Sequence, residues 1–175
     1  IFVSTETDQE RVYTFAELHA EVQRMAASLK ELGVKKGDRV LIYMPMIAEA
    51  AFAMLACTRI GALHSVVFGG FASGSLATRI DDAEPVVVVS ADAGSRGGKP
   101  VPYKHLLDEA INLAKHKPQS VLLVDRGLAP MQLVAGRDHV WGPLRDKHLN
   151  AQVPCEWVDS THPSYTLYTS GTTGK

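Results

Sequence analysis

An α/β fold of alternating helices and mostly parallel strands is what this sequence predicts. Three observations carry it: short runs that are apolar almost throughout, amphipathic segments at helical spacing between them, and regular repetition of the two. A strand covered on both faces has no polar side to show, so continuous hydrophobicity marks a parallel sheet flanked by helices. The runs Arg39, Val40, Leu41, Ile42, Tyr43, Met44 and Val86, Val87, Val88, Val89 both have that form.

Thr14 and Glu17 make the capping-box pattern, a hydroxyl for an early helical N–H and a carboxylate three residues on that reaches back. Leu18, Val22, Met25, Ala26, Leu29 and Leu32 follow on one face, and Gly33 suits a left-handed C-terminal cap, so a helix is predicted over residues 15–32. A turn through Gly37 leads into a strand over 39–44, stopped by Pro45. An Ala-rich helix over 47–60, closed by Gly61, precedes a strand over 64–68 that ends in Gly69 and Gly70. Ser73 is placed to cap a short helix reaching Ala83, before a β-branched strand over 86–89. A loop follows through Gly94, Ser95, Arg96, Gly97, Gly98 and Lys99, then an amphipathic helix over 103–115 and a strand over 120–124. Periodicity weakens over 125–161, which reads as irregular apart from a helical turn near 141–144, and a strand over 165–168 runs into the last residues.

With 175 residues, 46% of them apolar and 21% charged, the chain can bury one sizeable core. A net charge of -1 without a Lys/Arg block gives no electrostatic case for a nucleic-acid partner. The most apolar stretch, over 41–72, is broken by Pro45, Glu49, Arg59 and glycines, so neither a membrane span nor a membrane partner is expected. Cys57 and Cys155 are isolated, which excludes a disulfide framework and fits a reducing compartment, the cytoplasm. The chain opens on Ile1 and closes inside a Gly-rich motif, which reads as part of a longer protein.

That closing motif, Thr169, Ser170, Gly171, Thr172, Thr173, Gly174, Lys175, has the composition of a phosphate-holding loop. Two glycines allow tight turning, the freed backbone N–H groups make an anion nest, four hydroxyls donate further bonds, and one ammonium adds a point charge. A nucleotide P-loop needs four residues between its glycines and a Ser/Thr after the Lys, and here only two separate Gly171 from Gly174. A flexible linker competes as a reading, and the strand directly before the loop argues against it. A phosphate-binding NTPase-like domain and a non-catalytic nucleotide- or CoA-binding α/β module stay open as alternatives.

Tyr168 through Lys175 resembles the signature loop of the adenylate-forming superfamily, which includes acyl-CoA synthetases, luciferases and peptide-synthetase adenylation domains. Upstream, Tyr43-Met44-Pro45-Met46, Met54-Leu55-Ala56-Cys57, Arg59-Ile60-Gly61-Ala62 and Val67-Phe68-Gly69-Gly70-Phe71 resemble its short-chain acyl-CoA synthetase branch. Ser90 through Lys99, Val101-Pro102-Tyr103-Lys104 and Leu122 through Leu128 are closer to the propionyl-CoA than to the acetyl-CoA synthetases of that branch. The resemblance implies an incomplete N-terminal AMP-binding domain over 1–175, followed by a small C-terminal domain. It implies a ligase using a short carboxylate, ATP, CoA and Mg²⁺ through an acyl-AMP. Thr169, Ser170, Gly171, Thr172, Thr173, Gly174 and Lys175 would hold ATP phosphates, and Phe68, Gly69, Gly70, Arg96, Gly97, Gly98 and Lys99 would hold CoA. The acyl pocket, the Mg²⁺ carboxylate and the adenylation lysine would lie past Lys175. These 175 residues would therefore hold no catalytic residue and no metal ligand, and would be inactive alone.

Lys99 stands where the acetyl-CoA relatives usually carry Arg, which replaces a bidentate fork by a point charge. For Phe68, Gly69 and Gly70 a plain turn with Phe68 and Phe71 in the core is as good a reading as a ligand contact. The seven histidines are scattered and take no role, with His64 read as a satisfied core residue. Asp81 and Asp82 are adjacent on a helix, so they do not share a face and read as solvated. Cys57 in an apolar helix reads as packed, and Trp141 and Trp157 stay undecided between core and lid.

Overall fold

The computed structural model describes residues 2–4 and 10–169. In chain order the elements are β1 (Phe2–Ser4), β2 (Glu10–Val12), α1 (Phe15–Glu31), β3 (Arg39–Met44), α2 (Ala48–Arg59), β4 (Leu63–Phe68), α3 (Ser73–Ala83), β5 (Val87–Ala91), β6 (Gly94–Arg96), β7 (Lys99–Val101), α4 (Tyr103–Leu113), β8 (Ser120–Val124), β9 (Asp138–Val140), α5 (Trp141–Lys147) and β10 (Tyr165–Thr166). Six strands form the central sheet in the order β10-β4-β3-β5-β8-β9. Every neighbouring pair in it is parallel. The chain moves from β3 outward to β4, then returns past β3 to β5 and on to β8. That reversal puts a topological switch point between β3 and β5, and ligands of open α/β sheets bind outside the carboxyl ends of the strands at such points.

Side-chain alternation along the strands divides the interior into two layers. Val40, Ile42 and Met44 of β3, with Val87, Val89 and Ala91 of β5, pack against α1, α2 and Trp141. Leu41, Tyr43, Val88, Val121 and Leu123 face the other way, against Leu76 and Ile80 of α3 and Leu107 and Ile111 of α4. Right-handed crossovers require this split, because the direction of travel reverses after β4 and the helices must change face with it.

Local chemistry fixes the helix ends. The Glu17 N–H donates to Thr14 Oγ1 at 3.2 Å and the Thr14 N–H donates back to Glu17 Oε2 at 2.7 Å, completing the expected capping box. Gly33 takes the left-handed conformation (φ 94°) just after α1. At α3 the expectation fails: Ala72 is the N-cap, it makes no side-chain cap bond, and Ser73 is already the first helical residue.

Three further differences from the sequence expectation have physical causes. The stretch from Gly94 to Lys99 is no simple loop but part of an antiparallel β6–β7 hairpin, with Gly97 (φ 58°) and Gly98 (φ 77°) as its two turn residues. Residues 125–161 contain β9, parallel to β8, and a helix α5 longer than one turn. The final strand is also shorter than expected, Tyr165 and Thr166 alone pairing with His64 and Ser65. Before it, residues 150–157 are tied to α1, α2 and the turn before β3: the Val153 N–H donates to Gln23 Oε1 at 2.7 Å, Arg59 Nε donates to the Val153 carbonyl at 2.6 Å, and Lys36 Nζ donates to Glu156 Oε1 at 3.0 Å.

Candidate functional site

The residues singled out for CoA leave the sheet from its carboxyl edge, Phe68 ending β4 with Gly69 and Gly70 just after it, and the β6–β7 hairpin just after β5. Arg96 and Lys99 are a cross-strand pair flanking the Gly97–Gly98 turn, and both are exposed. Residues directly opposite each other share a face of a hairpin, where like charges repel. Two cations held side by side on an exposed tip are offset best by an anion, and phosphate suits both side chains.

The root of that hairpin is fixed from several sides. Asp92 follows β5 and is 1% exposed. Its Oδ2 accepts the N–H groups of Leu128 (2.7 Å) and Ala129 (3.2 Å), and its carbonyl accepts the Lys104 N–H at 3.2 Å. Asp92 Oδ1 is buried without a hydrogen-bond partner among the described residues. Arg126 Nη1 donates to the Ala93 carbonyl at 2.9 Å. The hairpin's approach is thereby tied to both the 125–129 loop and the start of α4.

Tyr103, the first residue of α4, reaches both candidate CoA segments. A Cβ on Gly69 would stand 2.1 Å from the Tyr103 hydroxyl oxygen, and a Cβ on Gly94 would stand 3.0 Å from it. Below, the Tyr43 and Tyr103 rings pack with centroids 4.9 Å apart, and Tyr43 Oη donates to the Phe71 carbonyl at 3.2 Å. Burial first, and Tyr103 second, push the Tyr43 phenol up to about 12, so it stays a neutral donor near neutral pH and offers no base. The Phe68 ring is 68% exposed and meets Phe71 edge-on at 6.2 Å, so it lies on the surface and not in the core.

The phosphate-loop residues Ser170, Gly171, Thr172, Thr173, Gly174 and Lys175 lie outside the described residues, and of that set Thr169 alone is described, as exposed. The approach to the loop is firmly held. Tyr168 Oη donates to Asp82 Oδ2 at 2.5 Å and the Arg79 guanidinium carbon stands 3.9 Å above the Tyr168 ring, both from α3. Because β10 runs parallel to β4, the chain bound for Thr169 leaves by the same sheet edge as the Gly69–Gly70 turn.

Other residues resolve into structural work. Asp81 accepts the Lys115 and His116 N–H groups at 2.7 and 2.9 Å while Asp82 holds Tyr168, so neither is merely solvated. His64 stacks on Tyr165 at 5.8 Å, and its Nδ1 is buried without a partner among the described residues, so it is not the satisfied core histidine the sequence suggested. Burial pushes the Cys57 thiol up to about 12, which suits packing and not nucleophilic work. Trp141 is core at 5% exposure, and Trp157 is 90% exposed. No group of three or more His, Cys, Asp or Glu side chains able to hold a metal occurs among the described residues. Two open depressions, about 520 Å³ beside Leu128 and about 730 Å³ beside Arg59, are lined by none of the predicted site residues.

Sequence reasoning missed Tyr103 and Asp92 as parts of this region. The hairpin had a usable signal, two adjacent glycines between short segments, which mark a two-residue turn.

The family described as AMP-binding enzyme matches residues 1–175. The chain is 63% identical, over all 175 of its residues, to the propionate–CoA ligase of Escherichia coli (strain K12), of which it spans 28%. It is 50% identical over 177 aligned positions to an acetyl-coenzyme A synthetase of Caulobacter vibrioides, covering 100% of the chain and 27% of that relative. In structure it matches the acetoacetyl-CoA synthetase of Streptomyces lividans with a TM-score of 0.86 and 31% identity, over 99% of this chain and 26% of that one.

Proposed function

This chain belongs to the AMP-binding enzyme family, and from that we propose that the whole protein carrying it is an AMP-forming short-chain acyl-CoA ligase acting on propionate. The reaction has two steps. A carboxylate oxygen of propionate attacks the α-phosphorus of ATP, forming the acyl–phosphate bond as the α–β bridging bond breaks and pyrophosphate leaves. The CoA thiol then attacks the acyl carbon, losing its proton as the thioester forms and AMP departs.

Within that reaction this chain's share is positioning and electrostatics. Thr169, Ser170, Gly171, Thr172, Thr173, Gly174 and Lys175 grip the β- and γ-phosphates and spread the charge of the leaving pyrophosphate. Arg96 and Lys99, carried on the Gly97–Gly98 turn, receive the phosphates at the nucleotide end of CoA. Phe68, Gly69 and Gly70 line its adenine end. Mg²⁺ accompanies ATP, with its carboxylate ligand, the acyl pocket and the adenylation lysine past Lys175, so none of these residues is a metal ligand or an acid–base catalyst. The partners are small molecules and the place of action the cytoplasm; no helix among the described residues is long and apolar enough to cross a membrane.

One observation carries the choice of propionate: identity to a propionate–CoA ligase is 63% along the whole chain, against 50% to an acetyl-coenzyme A synthetase. Acetate is the second reading, favoured by that same 50%. The test is steady-state assay of the purified whole protein with ATP, Mg²⁺, CoA and either acid. Propionate-dependent formation of AMP, pyrophosphate and propionyl-CoA, at a kcat/KM above that for acetate, is expected. A higher kcat/KM for acetate transfers the assignment to acetate, and absence of carboxylate-dependent AMP overturns the reading.

A further inference from the structure

We propose that Tyr103 is a positioning residue for CoA, a wedge that sets the distance between the Gly69–Gly70 turn and the hairpin bearing Arg96 and Lys99; this deepens the CoA reading above and rests on it.

Glycine is usually required where φ is positive, but neither Gly69 nor Gly94 is among the positive-φ glycines of this chain. Their lack of a side chain has a different cause. The space a Cβ would fill at Gly69 holds the Tyr103 hydroxyl, at 2.1 Å, and ring carbon Cζ, at 2.6 Å. At Gly94 the same two atoms stand at 3.0 Å. One ring therefore accounts for two glycines in segments 25 positions apart in sequence.

The wedge is backed so that it does not yield. Tyr103 is 7% exposed and lies on the Tyr43 ring, which is itself 0% exposed and anchored on the Phe71 carbonyl at 3.2 Å. The next residue, Lys104, donates its N–H to the Asp92 carbonyl at 3.2 Å, so the start of α4 is joined to the hairpin root. A site assembled from two separate segments depends on their spacing, and small misplacement costs binding of any ligand that spans them. CoA, with an adenine end and a phosphate end, is such a ligand. Tyr103 acts through Gly69 and Gly94 and has no need to touch CoA.

The test is a double-mutant cycle in the whole protein on Gly69→Ala and Tyr103→Leu, with Tyr103→Phe as the conservative variant. Two readouts are taken: the KM for CoA in acyl transfer from supplied propionyl-AMP, and propionate-dependent ATP–pyrophosphate exchange, which needs no CoA. Each single change should raise the KM for CoA about tenfold, equivalent to about 1.4 kcal/mol, with a smaller change in exchange. In the double variant the added methyl enters the space Tyr103 vacated, so the rise should be well below the product of the two singles. Tyr103→Phe, keeping the ring between the segments, should lie nearer the unmodified protein than Tyr103→Leu. A purely multiplicative double variant, an unchanged KM for CoA in Tyr103→Leu, or equal loss in both readouts overturns the wedge while leaving the ligase reading standing. Acyl transfer by the unmodified protein that does not saturate with CoA overturns the CoA reading itself, and the wedge with it.

Discussion

Lys104 Nζ lies 3.1 Å from Asp138 Oδ2, with the Lys104 side chain 4% and the Asp138 side chain 0% exposed. Asp108 also contacts that ammonium, and Arg137 bonds Asp138 Oδ1 at 2.6 Å and Asp108 Oδ1 at 2.5 Å. Two cations and two carboxylates thus join the first turn of α4, which also carries Tyr103, to the start of the edge strand β9.

Removing one member of such a cluster strands a buried charge. Asp138→Asn leaves Lys104 and Arg137 short of a counter-charge and should lower the opening free energy of the β8–β9 amides by about 3–5 kcal/mol, read by native-state hydrogen exchange. Combining it with Lys104→Met, which removes the stranded ammonium, should recover part of the loss. The pH sign is fixed by Asp138. Burial pushes its carboxyl up, but the bonds from Arg137, the Val134 N–H and Lys104 outweigh that and hold it below its ordinary 3.8. A folded-state value below the unfolded one gives stability that is present above about pH 4 and fades as pH falls through the folded value.

Tyr168 titrates in the opposite sense. Burial first, then the hydrogen bond and charge of Asp82, push its phenol up to about 12 from an ordinary 10, against a smaller pull down from Arg79. A group whose folded value is raised adds stability below the unfolded value and loses it as pH rises through the folded one. Ultraviolet difference titration should therefore show one tyrosine lost by Tyr168→Phe that ionises near pH 12, and Asp82→Asn should bring that ionisation down toward the ordinary value of 10.

The parallel sheet was legible because its strands state their burial outright: Val87, Val88 and Val89 are all 0% exposed, and a β-branched run with no polar face has nowhere else to go. Helix α1 was legible because Thr14 and Glu17 act within four residues of each other. Strand β9 was not, since Asp138, His139 and Val140 carry no strand pattern, and what holds them is pairing with β8 and the distant Lys104. The candidate site divides in the same way. Arg96 and Lys99 were visible as charges on a Gly-rich segment, whereas Tyr103 reads locally as one more apolar residue at a helix start. Its work becomes visible only when Gly69 and Gly94 are brought against it from separate strands.

The hairpin tip allows charge and backbone shape to be tested separately. Arg96→Ala removes one of two facing cations, and a charge-assisted contact of about 1.5–3 kcal/mol should appear as a ten- to hundredfold rise in the KM for CoA with ATP use nearly unchanged. Gly98→Ala meets no atom within 4 Å of its added Cβ, so its cost is the left-handed conformation alone, φ 77°. That strain of about 1–2 kcal/mol should loosen the turn and raise the same KM while the charge of the tip is kept. An unchanged KM in Arg96→Ala removes that residue from the CoA site.

The last residues allow the two chemical steps to be separated. A loop that grips the β- and γ-phosphates acts while pyrophosphate is still attached, and after pyrophosphate leaves it has nothing to hold. On the proposed role, Thr172→Ala and Lys175→Ala should therefore slow propionate-dependent ATP–pyrophosphate exchange far more than thioester formation from supplied propionyl-AMP, because the second substrate lacks the β- and γ-phosphates. For Lys175, loss of a charge-assisted contact of about 1.5–3 kcal/mol sets the expected scale at ten- to hundredfold in the first step. Tyr168→Phe, which frees the chain entering the loop from Asp82, should shift the same step in the same direction by less, since it loosens the loop's footing without removing a donor to phosphate. Equal loss in both steps for Thr172→Ala and Lys175→Ala would mean that the loop supports the fold and does not hold the leaving group.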